Sequence, residues 1–252
     1  MINHVPDAER EIAQADLSGR TGEMARAVGE KFWAGRLTLV MPRGEDATVS
    51  DLAAAGLPTL ALRVPRGKTA LALLREVGAP VAAPSANRSG TVSPSDAFHV
   101  LRSLEGRIDA ILDSGPCSVG VESTVLDLTR ETPVLLRPGG VTLEELTALC
   151  GTIHHPDDFA EILPSSPGRL ASHYAPSLPV RLDATSIEGN EAQLAFGKPL
   201  PGAALTRNLS ESSHLEEAAA RLFSGLRFLD AEGALSGLTR IAAHTVHGPR
   251  LG

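Results

Sequence analysis

The sequence predicts an α/β protein with a mixed sheet, followed by a second, smaller α/β unit. Short apolar runs that end in Pro or Gly alternate with amphipathic helical patterns as far as residue 151, and two of the runs are close enough to form a hairpin. A stretch rich in Pro, Ser, His and Asp over 152–178 has little periodicity, and strand and helix patterns resume after it.

The first helix is expected over 24–32, where Met24, Val28 and Phe32 share a face and Thr21 is placed to cap it. Runs over 37–41 and 59–64 lead into Pro and read as strands. A helix over 70–77 is stopped by Gly78, and 81–83 is a short buried strand delivering the Pro84-Ser85-Ala86-Asn87 loop. Ser93-Pro94-Ser95-Asp96 reads as a helix start with Ser93 as the cap and Pro94 where its missing N–H costs nothing. Strands are expected over 108–113, 124–128 and 134–137, the last two joined by a turn at 129–132, which makes the sheet mixed rather than purely parallel. Thr142-Leu143-Glu144-Glu145 is a capping box, and Gly151 closes its helix. Beyond 178, strands are expected over 180–183, 193–196 and 240–246. The helix over 215–229 sets Leu215, Ala219, Leu222, Leu226 and Leu229 along one side.

Composition narrows the function. Aromatic residues make up only 3% of the chain, so stacking platforms for single-stranded nucleic acid are scarce, and a formal charge of −7 disfavours a dense phosphate-binding surface. Cys117 and Cys150 have no metal-ligand spacing and are expected to be small buried residues in a reducing compartment. The adjacent His154 and His155 read as a solvated loop, and no structural metal is expected. No apolar stretch reaches the roughly 20 residues a membrane span needs, and the start has no signal-peptide pattern, so the expected location is cytoplasmic.

Three loops carry the chemistry. Ala82-Ala83-Pro84-Ser85-Ala86-Asn87-Arg88-Ser89-Gly90 joins small residues, hydroxyls and a Gly ahead of a helix start, a composition that offers backbone N–H groups to an anion. Val121-Glu122-Ser123-Thr124-Val125 and Leu135-Leu136-Arg137-Pro138-Gly139-Gly140 follow at the ends of further apolar runs. One such loop alone would be an ordinary turn; three are expected to make a site.

Five segments resemble, in order, the YrdC-like threonylcarbamoyl-AMP synthase family. They are Phe32-Trp33-Ala34-Gly35-Arg36-Leu37-Thr38-Leu39-Val40, the Arg63-Val64-Pro65 strand end, the Pro84-Ser85-Ala86-Asn87 loop, Gly120-Val121-Glu122-Ser123-Thr124 and Leu136-Arg137-Pro138-Gly139. The later run from Ser166-Pro167-Gly168-Arg169 to His173-Tyr174-Ala175-Pro176 resembles the linker of the longer, two-domain members. The resemblance implies a YrdC-like catalytic domain over 1–151, built on a twisted mixed sheet with flanking helices. A linker that folds back as a lid would follow over 152–178, and a Rossmann-like second domain over 179–252. The family's opening segments and its Lys and Arg phosphate clamp find no match, since Lys31, Lys68 and Lys198 are the only lysines. The chain is therefore expected to be a fragment at both ends, starting inside the family's His-containing segment, and inactive by itself.

The activity implied is that of an L-threonylcarbamoyladenylate synthase, a nucleotidyltransferase. It condenses L-threonine, bicarbonate or CO2, and ATP into threonylcarbamoyl-AMP and pyrophosphate for t6A modification of tRNA. A separate tRNA threonylcarbamoyl transferase complex takes the product. By the same resemblance His4, Arg63, Ala83 and Ser123 contact threonine, while Thr59, Ser85, Ser93, Arg137 and Tyr174 contact ATP. No side chain is assigned as acid or base, ATP enters as substrate, and Mg2+ is expected from phosphate chemistry alone, without protein side chains as its ligands. Four of these positions have a plainer reading: a strand-end Arg63, a turn-forming Ser123, a Thr59 present for strand propensity alone, and an Arg137 paired with Glu122 or Asp127. The alternative function is a double-stranded RNA or tRNA-binding module on the same fold, which clustering of Arg63, Arg88, Arg107 and Arg137 on one face would favour.

Overall fold

The computed structural model describes residues 1–7, 14–155 and 175–246. Strands β1 (Ile2–His4), β2 (Leu37–Pro42), β3 (Thr59–Arg63), β4 (Val81–Ala82), β5 (Thr124–Asp127) and β6 (Val134–Arg137) form one sheet in the order β4-β1-β3-β2-β5-β6. It is mixed: β1 runs parallel to β3 and β2 to β5, while the β1–β4, β2–β3 and β5–β6 pairs are antiparallel. Period-two alternation sets one face of this sheet into a core. Leu37, Leu39 and Met41 on β2, Leu60 and Leu62 on β3, and Leu126 on β5 are fully buried.

That face is covered by α1 (Gly19–Phe32), α2 (Asp51–Ala54) and α5 (Leu143–Cys150), through Ala25, Val28, Ala53, Ala54 and Leu146. Each fully buried leucine contributes about 1.5–3 kcal/mol of transfer free energy, enough to hold a sheet whose strands are only two to six residues long. The opposite face keeps Thr59, Ala61 and Arg63 of β3 half-buried.

Strands β7 (Val180–Arg181), β8 (Glu191–Ala195), β9 (Thr206–Asn208) and β10 (Arg240–Ala243) form a second sheet, all parallel, in the order β7-β10-β8-β9. Helix α6 (Leu215–Leu235) packs on it, and Leu194, Leu209, Ala218, Leu229 and Ile241 make its core. The described residues group into two compact units. One comprises those within 1–84 and 122–155, the other 85–121 and 175–246. Helix α3 (Lys68–Val77) belongs to the first unit and α4 (Ala97–Leu104) to the second.

The capping box is present as expected, Thr142 Oγ1 accepting from Glu145 N–H while Glu145 accepts from Thr142 N–H, and Gly78 ends α3 in the left-handed region. Five expectations need correction. The strand expected to be buried over 81–83 is β4, half-buried at Val81 and exposed at Ala82, as suits an edge strand. Asp96 rather than Ser93 caps α4, its carboxylate accepting from His99 N–H at 2.8 Å, because an ionised oxygen is the stronger acceptor for a helix N-terminal N–H. Thr21 caps nothing: α1 starts at Gly19, and the Thr21 hydroxyl donates instead to the Leu128 carbonyl at 3.2 Å.

Residues 108–113 are not a strand. No strand among the described residues pairs with them, and Leu112 is 63% exposed, so an apolar run without a ladder partner stays solvated. Cys117 is exposed, its N–H donating to the Ser95 carbonyl at 2.7 Å, while Cys150 is buried and burial raises its thiol pKa. The sequence pattern also passed over β1, α2 and β9, elements of three or four residues too short to show a period.

Candidate functional site

Strand register sets one row of residues across the first sheet. His4 pairs with Arg63, and one step beyond the Leu39–Leu62 pair Thr38 comes opposite Arg63. Thr38 pairs in turn with Val125, and Val125 with Arg137. In-register neighbours point to the same face, so His4, Arg63, Thr38 and Arg137 line one transverse track on the face away from the core. With Val125 between Thr38 and Arg137, the track crosses five strands and spans about 19 Å at the usual strand spacing, longer than an amino acid needs.

Arg63 is anchored within the track by an Nε–H bond to the Gly35 carbonyl at 3.0 Å, which fixes the plane of its guanidinium. Beside it, His4 has its pKa lowered to about 4, first by burial and then by the Arg63 charge, so the imidazole is neutral at pH 7. Across the strand, Ser123 is 3% exposed and shares a 2.8 Å hydroxyl–hydroxyl bond with Thr38.

Arg137 binds that same serine from the other side. Its Nη2 donates to the Ser123 hydroxyl at 3.0 Å and carbonyl at 2.8 Å, its Nε donates to the same carbonyl at 3.0 Å, and its Nη1 is paired with Glu122. The Arg137–Glu122 pair is one of the two plainer partners considered for this arginine. The loop after Arg137 locks against the same segment: a Cβ on Gly139 would lie 2.4 Å from the Glu122 carbonyl oxygen and 2.5 Å from Thr124 N. Thr124 Oγ1 and the Val141 backbone exchange two hydrogen bonds, of 2.6 and 2.9 Å. Thus the Val-Glu-Ser-Thr and Arg-Pro-Gly-Gly loops are one structure built around Ser123.

Two further site candidates, Ala83 and Thr59, belong to this unit. Ala83 has its N–H committed to the Ile2 carbonyl at 2.9 Å, so a backbone contact from it would use its carbonyl. Thr59 shares a face with Arg63 but sits at the opposite end of β3, about 13 Å away by strand rise. The structure does not bring those two together.

In the second unit, Ser85 is exposed, and Asn87 Nδ2 ties the loop after it through bonds to Arg88 O, Thr91 O and Thr91 Oγ1 at 2.9–3.1 Å. Ala86 and Gly90 both take left-handed φ, at 54° and 82°. Ser93 is buried, and its carbonyl accepts from Arg227 Nε at 3.1 Å. Tyr174 lies outside the described residues, as does most of the 152–178 segment.

Thr38 and Arg227 were not singled out from sequence, although both left a signal. Thr38 is the hydroxyl within an otherwise Leu, Val and Met strand, and Arg227 interrupts the Leu226–Phe228 apolar run of α6. An open hollow of about 490 Å3 lies elsewhere in the second unit, lined by Leu178, Val180, Leu194, Phe196, Leu226 and others, and its lining is too apolar for the polar chemistry of the loops. Among the described residues there is no cluster of three or more His, Cys, Asp or Glu, and no helix is long and apolar enough to cross a membrane.

The sequence model of the Sua5–YciO–YrdC family, described as telomere recombination, matches residues 3–139, and that of the threonylcarbamoyl-AMP synthase C-terminal domain matches 141–250. A threonylcarbamoyl-AMP synthase of Bacillus subtilis is 46% identical over 185 residues, 72% of this chain and 52% of its own length. One from Pyrococcus abyssi is 45% identical over 167 residues, 65% of this chain and 48% of its own. The chain spans about half the length of the curated relatives it matches. The crystal structure of P. abyssi Sua5 complexed with L-threonine superposes with a TM-score of 0.85 at 34% identity, covering 99% of this chain and 76% of that one.

Proposed function

The chain belongs to the Sua5–YciO–YrdC family, and from that premise we propose that it carries substrate-binding parts of an L-threonylcarbamoyladenylate synthase working in the cytoplasm on the t6A route. The observation that carries the reading is the track of His4, Arg63 and Thr38 with Ser123 beside it, in a chain that superposes on a protein crystallised with L-threonine. A guanidinium with its plane fixed can take a carboxylate through two parallel charge-assisted bonds, which is the way Arg63 would hold threonine. His4 is uncharged at pH 7 and so adds a hydrogen-bonding group beside Arg63 without a second positive charge. The Ser123 hydroxyl and the Ala83 carbonyl would complete the grip on threonine.

Bicarbonate and the threonine amine give a carbamate with loss of water. A carbamate oxygen then attacks the α-phosphorus of ATP. The new O–P bond forms as the α–β phosphoanhydride bond breaks, and pyrophosphate leaves with the electron pair. Position and electrostatics suffice for this step, and no residue need act as acid or base. For ATP we assign Thr59, Ser85, Ser93, Arg137 and Tyr174, with Mg2+ carried on the phosphates. Because Glu122 compensates the Arg137 charge, holding the Ser123 loop is the larger part of what Arg137 does, and phosphate stabilisation the smaller. A dedicated transferase complex is the expected consumer of the adenylate.

The test is pyrophosphate release by the full-length protein, expected only when L-threonine and bicarbonate are both present. Replacing Arg63 with Ala should cost roughly 2–5 kcal/mol of threonine binding by calorimetry while ATP affinity holds. Release without threonine, or unchanged threonine binding in the variant, would overturn the reading.

A further inference from the structure

Helix α6 reaches into the segment that carries Ser85 and Ser93. Arg227 donates through Nε to the Ser93 carbonyl at 3.1 Å and through Nη2 to the Val92 carbonyl, and its two terminal nitrogens reach Ser103 Oγ, near the end of α4, at 3.4 and 3.3 Å. Two turns earlier on the same side of α6, the carbonyls of Ala219 and Ala220 stand where a Cβ on Gly120 would lie, at 2.4 and 2.3 Å, and Gly120 has φ +71°. One face of α6 therefore meets two segments that the sequence marks as functional.

Asn87 and Thr91 tie residues 87–91 of that segment together, and Arg227 binds the next two carbonyls. Residues 92–94 belong to no helix or strand, so the Val92 and Ser93 carbonyls are held by tertiary donors. Asn87 Nδ2 reaches Val92 O only at 3.5 Å. An arginine suits this task because its planar fork serves two successive carbonyls and a hydroxyl at once, whereas a lysine is a single point donor. Burial is the chief influence on the guanidinium and lowers its pKa; Asp96 at the cap of α4 and Asp230 on its own helix favour its charge, and Arg102 of α4 opposes it.

We propose that Arg227 is a positioning residue for the nucleotide: by fixing the Val92 and Ser93 carbonyls it sets the 85–93 segment in the shape that receives ATP, which makes α6 a working part of ATP binding. This rests on the assignment of Ser85 and Ser93 to ATP under the proposed function.

The experiment compares the full-length protein with Arg227→Ala and Arg227→Lys. It reads the KM for ATP and for threonine from pyrophosphate release, and amide hydrogen exchange over 85–93. Arg227→Ala should raise the ATP KM roughly ten-fold, as expected when charged hydrogen bonds are lost, with the threonine KM unchanged within about two-fold. Exchange over 85–93 should quicken, and added guanidinium should restore part of the ATP affinity. Arg227→Lys keeps the charge, and with it the fold should the Ala variant not fold, yet loses the fork; its ATP KM should rise several-fold. An active parent whose ATP KM survives both substitutions, or both KM values moving together without rescue, overturns the positioning role alone. A parent that releases no pyrophosphate with threonine and bicarbonate overturns the proposed function and this assignment with it.

Discussion

His4 occupies a place where an imidazole has to stay neutral. Burial and the neighbouring Arg63 charge bring its pKa to about 4 in the folded protein, whereas the unfolded chain takes up the proton near 6.5. Between those values the unfolded state binds more protons, so stability is full above pH 6.5, falls as the pH drops toward 4 and then levels, by about 3 kcal/mol in all. Urea unfolding followed from pH 7.5 to 4 should show that slope, and His4→Gln should flatten it; an equal slope in the variant would mean that another group titrates. At this scale the motif marks Arg63 and Ser123 as candidates, because a strand-end Arg before Val-Pro and a Ser in Val-Glu-Ser-Thr stand out in one dimension. The Thr38–Ser123 hydrogen bond was not legible, since the two lie 85 positions apart and only the β2–β5 register joins them. The Arg137–Glu122 pair was readable as an option, but choosing Glu122 over Asp127 required the β5–β6 register, which sets Asp127 opposite Val134, three residues short of Arg137.

The elements repeat that contrast between local and long-range information. The Thr142–Glu145 box and the Gly78 stop were readable because capping needs only neighbours. The Asp96 cap is hidden in one dimension because Ser-Pro is a stronger written signal than the carboxylate three residues later. Residues 108–113 have the composition of a strand, yet pairing is a property of two segments, and one segment cannot report it. Strand β9 is the reverse case, an edge strand of three polar residues with no apolar pattern to read. The two loops at Ser123 yield a prediction of this size. Gly139→Ala places a methyl within 2.6 Å of three backbone atoms of Glu122, Ser123 and Thr124, and backbone cannot yield as a side-chain end can. The variant should lose roughly 1–3 kcal/mol by thermal melting and, in the proposed function, weaken threonine binding through Ser123. A variant with an unchanged melting temperature would show that the loops separate more easily than their packing implies.

At the scale of the whole chain the charge balance is acidic despite its arginines. Acidic residues outnumber Lys and Arg by 30 to 23, and several arginines are committed to carboxylates: Arg43 to Asp51, Arg137 to Glu122, Arg181 to Glu191 and Arg221 to Glu217. Glu191 is the most thoroughly matched of these, buried at the start of β8, its pKa lowered to about 2 chiefly by the Arg181 hydrogen bond. An arginine compensated in this way contributes almost nothing to counterion release, which is where phosphate-backbone affinity comes from. Of the four arginines whose clustering would have favoured an RNA-binding module, Arg137 is thereby removed, and Arg63 is turned inward to the Gly35 carbonyl. Such a surface should bind tRNA no more tightly than the non-specific range, a Kd of roughly 10⁻⁴–10⁻⁶ M at physiological salt, and with a shallow salt dependence. Filter binding between 50 and 200 mM salt measures both quantities. A Kd near 10⁻⁸ M at low salt, rising by the roughly thousand-fold expected of six or more phosphate contacts, would mean that the acidic total conceals a basic face and that the protein meets tRNA directly rather than through a small-molecule product.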